Sequence, residues 1–144
     1  MKEILLPAAV LVVWTMVMAF WMLFDRVQMF KRHNIDLSQH PGARGADLAK
    51  VVGPKEDWPA HNYVHLLEQP TIFYVAVFIL ALSAFSPLDV ALAWAYVAIR
   101  IVHSIFQATV NKVPVRGMIF GISSLVMTVL AVRALLAVLS LPSV

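Results

Sequence analysis

The chain has 144 residues, 61% of them hydrophobic and only 13% charged, and its mean hydropathy is +0.82. Soluble domains hold about 45–50% apolar and about 25% charged residues, so the composition rules out a soluble globular domain and a disordered chain alike. Without cysteine there is no disulfide framework, thiolate metal site or cysteine nucleophile. Five glycines with no GxGxxG or Walker pattern leave no phosphate-cradling loop, and the net charge of +3 sits beside apolar runs, which fits a membrane surface rather than nucleic acid.

The first apolar run covers about residues 4–33 and carries Asp25, Arg26 and Gln28 late in its course. About 20 apolar residues cross a bilayer at 1.5 Å rise per residue, so its last turns, through Lys31 and Arg32, project into water. The apolar core exceeds the about 7–15 residues of a signal peptide and reads as a retained span. A polar loop follows at about 34–57, with Pro41, Gly42, Gly45, Gly53 and Pro54. His33 and His40, in or beside it, read as solvated. The second run, about 58–85, is polar in its first half (His61, Asn62, His65, Glu68, Gln69) and almost wholly apolar from Ile72 onward. Ser86-Pro87 makes a tight turn, with proline suited to a first helical turn. The third run covers about 87–111. Asn111-Lys112-Val113-Pro114 leads into the fourth, about 115–141, which holds Arg133 and ends at Pro142.

No run alternates with period two, which removes a β-barrel. Short turns make neighbouring spans antiparallel. The expected fold is therefore all-α and integral to a membrane: one four-transmembrane-helix bundle over residues 1–144. The first loop and its flanks hold Lys31, Arg32, Arg44, Lys50 and Lys55, and the third loop holds Lys112 and Arg116. The turn at 86–88 holds no cation. Basic loops stay cytoplasmic, so the first and third loops are assigned to the cytoplasm and both termini to the opposite side. Among the tryptophans, Trp14, Trp21, Trp58 and Trp94 include candidates for the interfacial belt, Trp58 most clearly.

Charges inside a span are costly and face a bundle interior or a wet cavity. On the second helix His61, His65 and Glu68 fall on one stripe, flanked by Asn62 and Gln69. On the third, Arg100, His103 and Gln107 fall on another. Both stripes lie toward the basic loops, and Glu68 and Arg100 are the natural ion pair. The pair either glues the two helices together or belongs to a pocket for a polar or anionic ligand. A metal or haem site using His61, His65 and His103 is a further reading, although histidine-rich membrane di-iron enzymes need more than the five histidines present. Asp25 and Arg26 read either as interfacial anchors or, for Arg26, as part of the pocket. Arg116 points at the pocket or at lipid phosphate, and Arg133 is expected to snorkel to the opposite interface.

Two segments carry a resemblance. One is His61-Asn62-Tyr63-Val64-His65-Leu66-Leu67-Glu68-Gln69-Pro70-Thr71-Ile72-Phe73, with an acidic residue, a proline and a phenylalanine five positions after the acid. The other runs from Arg100-Ile101-Val102-His103-Ser104-Ile105-Phe106-Gln107 to the basic Lys112-Val113-Pro114-Val115-Arg116. With four spans and a long first loop, the whole chain resembles the MAPEG family, the membrane-associated proteins in eicosanoid and glutathione metabolism. The likeness is to a bacterial-type member near the microsomal glutathione S-transferase and prostaglandin E synthase branches. That resemblance implies a homotrimer in a bacterial inner membrane, with glutathione as co-substrate between subunits near the cytoplasmic face. It further implies transferase or peroxidase activity on a lipophilic electrophile that enters from the membrane lipids.

Carried over to this sequence, Arg116, with Lys112 as the alternative, becomes the residue that stabilises the thiolate, and Lys112 also counts among the glutathione-binding residues. Arg26, His61, His65, Glu68, Arg100, His103 and Gln107 become glutathione-binding residues. The pattern departs at three places. The eukaryotic enzymes have arginine where this chain has His61, asparagine where it has His65, and tyrosine where it has Gln107. Histidine does not reproduce an arginine's bidentate grip on carboxylate. The family also includes a non-catalytic lipid-binding member, so a binding protein on the same fold is the alternative.

Overall fold

The computed structural model describes residues 1–36, 38, 42, 47, 52, 53 and 57–142. His40, Arg44, Lys50 and Lys55 of the first loop, with Pro41, Gly45 and Pro54, lie outside the described residues. Among the described residues the chain forms four long helices: α1 (Lys2–Arg32), α2 (Trp58–Leu82), α3 (Pro87–Thr109) and α4 (Val113–Leu139). Each is long and apolar enough to cross a membrane. In hydrocarbon every backbone N–H and C=O must be satisfied within the protein, and a helix does this along its own length. The protein is thus an all-α integral membrane protein built as a four-helix bundle.

Local chemistry sets where the helices stop. Asn34 and Asn111 adopt φ of +51°, the left-handed conformation that asparagine tolerates and that commonly closes a helix. The N–H of Asn111 bonds back to the carbonyl of Phe106 at 2.9 Å. Pro87 opens α3, where its missing N–H costs nothing. Just ahead of it the Ser86 N–H donates to the Asp89 carboxylate at 2.7 Å, a capping arrangement that satisfies an otherwise orphaned donor. α2 ends at Leu82, short of Phe85, and the Ser83 hydroxyl turns back to the carbonyl of Ile79 at 2.7 Å.

Helices α2 and α3 form the central pair, each packed against the other three elements, with α1 and α4 set on their flanks. Their shared core holds Phe73, Val77, Leu80, Tyr96 and Val97, with Leu11 and Met18 from α1 and Met127 and Leu130 from α4. Phe73 stacks on Tyr96 at 4.5 Å between ring centroids. Lipid is as apolar as these side chains, so close packing at small residues and polar bonds hold the helices together. Ala76, Ala93, Ala134 and Ser123 are buried at the contacts. Asn62 Nδ2 donates to Ser104 Oγ at 2.6 Å, and Gln69 links α2 to Ser124 at 2.9 Å and to Tyr96 at 3.3 Å.

The outer faces are apolar. Val13, Phe20 and Phe24 on α1 and Leu125, Leu135 and Leu139 on α4 are exposed, as a lipid-facing surface requires. The Trp14 indole nitrogen is buried without a partner among the described residues.

Candidate functional site

The bundle has two unlike ends. One gathers the C-termini of α1 and α3 and the N-termini of α2 and α4, and here the polar stripes converge. Arg100, on α3, is wholly buried, and His103 and Gln107 lie buried one and two turns further along the same face. Among the described residues the guanidinium makes a single hydrogen bond, from Nη2 to the backbone carbonyl of His65 at 3.0 Å. One residue on, Pro70 has no N–H for the carbonyl of Leu66. Arg100 Nε and Nη1, His103 Nε2, Gln107 Oε1 and Asn62 Oδ1 are buried without hydrogen-bond partners among the described residues. Buried polar groups are nearly always satisfied, and a cluster that is not points to a ligand, an ion or water.

The expected Glu68–Arg100 ion pair does not form. Glu68 lies one turn from His65 on α2 and bonds His65 Nδ1 at 2.8 Å, with its side chain 62% exposed. The adjacent imidazole on the same helix face reaches the carboxylate first, and Arg100 turns instead to the backbone. The His65 ring packs against His103 at 5.2 Å and Phe120 at 5.1 Å, and Arg100 lies 5.7 Å from the centre of the Phe120 ring. Phe120, on α4, has no charge or motif to mark it in the sequence. Only the α2–α4 contact brings it in.

Arg116 opens α4 beside this cluster. Its Nη1 donates to Asn111 Oδ1 at 2.6 Å. Lys112, at the N-terminal boundary of α4, is exposed.

The structure does not bring Arg26 and His61 to this cluster within one chain. Both turn to Asp57, buried just ahead of α2: Arg26 Nη2 lies 3.5 Å from Oδ1, and His61 Nε2 lies 3.4 Å from Oδ2. They line a separate crevice of about 520 Å³ between α1 and α2, with Met22, Tyr63 and Val64. Asp57 was not singled out from the sequence, because it sits at the edge of the polar loop with nothing to distinguish it from other loop acids. With His61 diverted, the three-histidine metal or haem set does not assemble, and among the described residues no three His, Asp or Glu side chains converge as a metal site.

A polar cluster at the basic end of a four-span bundle, carried on an acid-to-Phe73 segment of α2 and an Arg100-to-Gln107 segment of α3, is the layout that the sequence resemblance implied. The MAPEG family profile matches residues 4–136. The chain belongs to the MAPEG family. No curated protein and no solved structure matches it. As a MAPEG protein it is a membrane protein of the glutathione and eicosanoid metabolism type.

The other end of this MAPEG bundle holds the remaining intramembrane arginine. Arg133 does not snorkel free to the interface. Its Nε and Nη2 grip both oxygens of buried Asp89, and Nη2 also donates to Ser86 Oγ at 2.9 Å. A cavity of about 310 Å³ lies beside the pair, lined in part by Leu80, Phe85 and Leu136. The pairing was not legible in the sequence, since the partners stand 44 positions apart and meet only because α3 and α4 are antiparallel neighbours.

Proposed function

We propose that the protein is a membrane-embedded, glutathione-dependent transferase or peroxidase acting on lipophilic electrophiles. The observation that carries this reading is the buried guanidinium of Arg100, with two nitrogens unpartnered among the described residues, on the same helix face as His103 and Gln107. A buried cation without a counter-ion is costly, and an anionic ligand relieves that cost. Glutathione offers two carboxylates for Arg100 and the neighbouring cationic groups. It also offers an amino group that suits the outward carboxylate of Glu68. Its thiol needs a nearby cation to ionise at neutral pH, and Arg116 is placed to supply one. In this reading the polar end faces the cytoplasm of a bacterial cell, three copies assemble through their exposed apolar faces, and the electrophile enters sideways from the bilayer.

Thermal unfolding of the detergent-purified protein with and without glutathione tests the reading. At about 100 times its dissociation constant a ligand adds roughly 2.7 kcal/mol of stability, and a clear upward shift is expected. The absence of any shift would overturn it. Arg116→Ala is expected to keep glutathione-dependent stabilisation while losing the thiolate absorbance that appears on adding glutathione. An unchanged thiolate signal removes Arg116 from the chemistry.

One observation favours a second reading, a lipid-binding protein without catalysis. A groove of about 370 Å³ between α2 and α4 is lined only by apolar side chains, Ile72, Val75, Ile79, Ala131, Leu135 and Val138 among them. Turnover of an aromatic electrophile or a lipid hydroperoxide separates the two.

A further inference from the structure

His65 is held on three sides. Arg100 takes its backbone carbonyl at 3.0 Å, the Phe120 ring backs its imidazole at 5.1 Å, and Glu68 bonds Nδ1 at 2.8 Å. An ionised carboxylate only accepts hydrogen bonds, so the proton of a neutral His65 sits on Nδ1. That leaves a lone pair on Nε2. No partner occupies Nε2 among the described residues, and the side chain as a whole is 23% exposed. A carboxylate fixing one nitrogen of an imidazole while the other stays free is the layout of a positioned general base. Glu68 keeps its second oxygen for the ligand's amino group.

We propose that His65 Nε2 is the base that takes the thiol proton of glutathione, with Glu68 as its positioning residue; this role rests on the glutathione reading. The S–H bond breaks with its electron pair left on sulfur, and the proton forms a new N–H bond at Nε2. The imidazolium keeps its Nδ1–H bond to the Glu68 carboxylate. The thiolate is left in the field of Arg116. When sulfur adds to an electrophile, the proton on Nε2 returns to the developing anion; when sulfur displaces a leaving group, it returns to water. The charged groups acting on the ring are Glu68 on its own helix, Arg100 and His103 from α3, and Arg116 from α4. Glu68 is the carboxylate bonded to the ring, so it is the group that positions the base.

The two routes to thiolate differ in where the proton goes. With Arg116 alone, every thiolate formed releases one proton to solvent. With His65 as base, the protein retains it. The test is to add glutathione to purified protein in weak buffer with a pH indicator, following thiolate absorbance and proton release together. The wild-type protein is expected to form thiolate with well under one proton released per thiolate. His65→Asn is expected to form thiolate about a hundredfold more slowly, within the range for loss of a general base, and to release one proton for each. Glu68→Gln, which retains an acceptor but not the charge, is expected to shift proton release upward toward the His65→Asn value, and serves alone should His65→Asn not fold. One proton per thiolate in the wild-type protein, or an unaltered rate in His65→Asn or unaltered release in Glu68→Gln, overturns the role of His65. Thermal stabilisation by glutathione is read on the same samples. Stabilisation with full proton release refutes His65 alone, whereas no stabilisation of the wild-type protein refutes the glutathione reading and this role with it.

Discussion

Arg100 and Arg133 are both arginines inside the span of one bundle, and they are treated in opposite ways. Arg133 is paired: a carboxylate accepts from its Nε and Nη2, Ser86 adds a third bond, and the same carboxylate caps the start of α3. Arg100 is more deeply buried, yet among the described residues it has one neutral carbonyl for a partner and two nitrogens with none. A charge that is fully paired by its own chain braces the fold. A charge left short by its own chain is stabilised by whatever anion enters. On this contrast the proposed binding falls at the Arg100 end of the molecule and the bracing at the Arg133 end.

The largest expected effect falls on the braced end. Asp89→Ala removes the acceptor for the Ser86 N–H and leaves Arg133 unpaired. These bonds run to a buried carboxylate and are charge-assisted, so the unfolding temperature should fall clearly. The increment added by glutathione should survive, since nothing at the far end is touched. A variant as stable as the wild type would mean that Asp89 and Arg133 are no brace.

Arg100→Met reverses the pattern. Replacing an under-satisfied buried charge with an apolar side chain of similar volume is often neutral or stabilising, so the ligand-free protein should be at least as stable as wild type. The roughly 2.7 kcal/mol contributed by a ligand at about 100 times its dissociation constant should disappear. Thermal unfolding with and without glutathione reads both quantities at once. Loss of stability without loss of the ligand increment would make Arg100 a second brace and erase the contrast.

Legibility in the sequence divides along the same line. The spans were readable because a membrane helix needs only continuous apolarity, and the Arg100–His103–Gln107 face was readable because helical spacing is local. Pairing across helices was not. Glu68 has Arg100 as its obvious opposite charge, but His65 is one turn away and takes the bond. Arg133 has no acid near it in sequence and finds Asp89 through the α3–α4 contact. Arg26 and His61 share a charge type with the pocket, yet the buried position of Asp57 draws them into the α1–α2 crevice. In each case the stripe on one helix is fixed by spacing, while the partner is fixed by which helices are neighbours.

His61→Ala is the smallest expected effect and tests how far the binding end extends. The His61 side chain is 52% exposed and lies 3.4 Å from Asp57, and exposed pairs of this kind contribute about 0–1 kcal/mol. Arg26 remains to hold Asp57, so the unfolding temperature should scarcely move. Within one chain the crevice is separate from the Arg100 cluster, so the glutathione increment should also be unchanged. An increment lost in His61→Ala but retained in an Asp89→Ala control would place the crevice in the binding site. In a homotrimer that happens only if a neighbouring copy sets its α1–α2 crevice against the Arg100 cluster, because the chain's own α2 turns His61 toward Asp57.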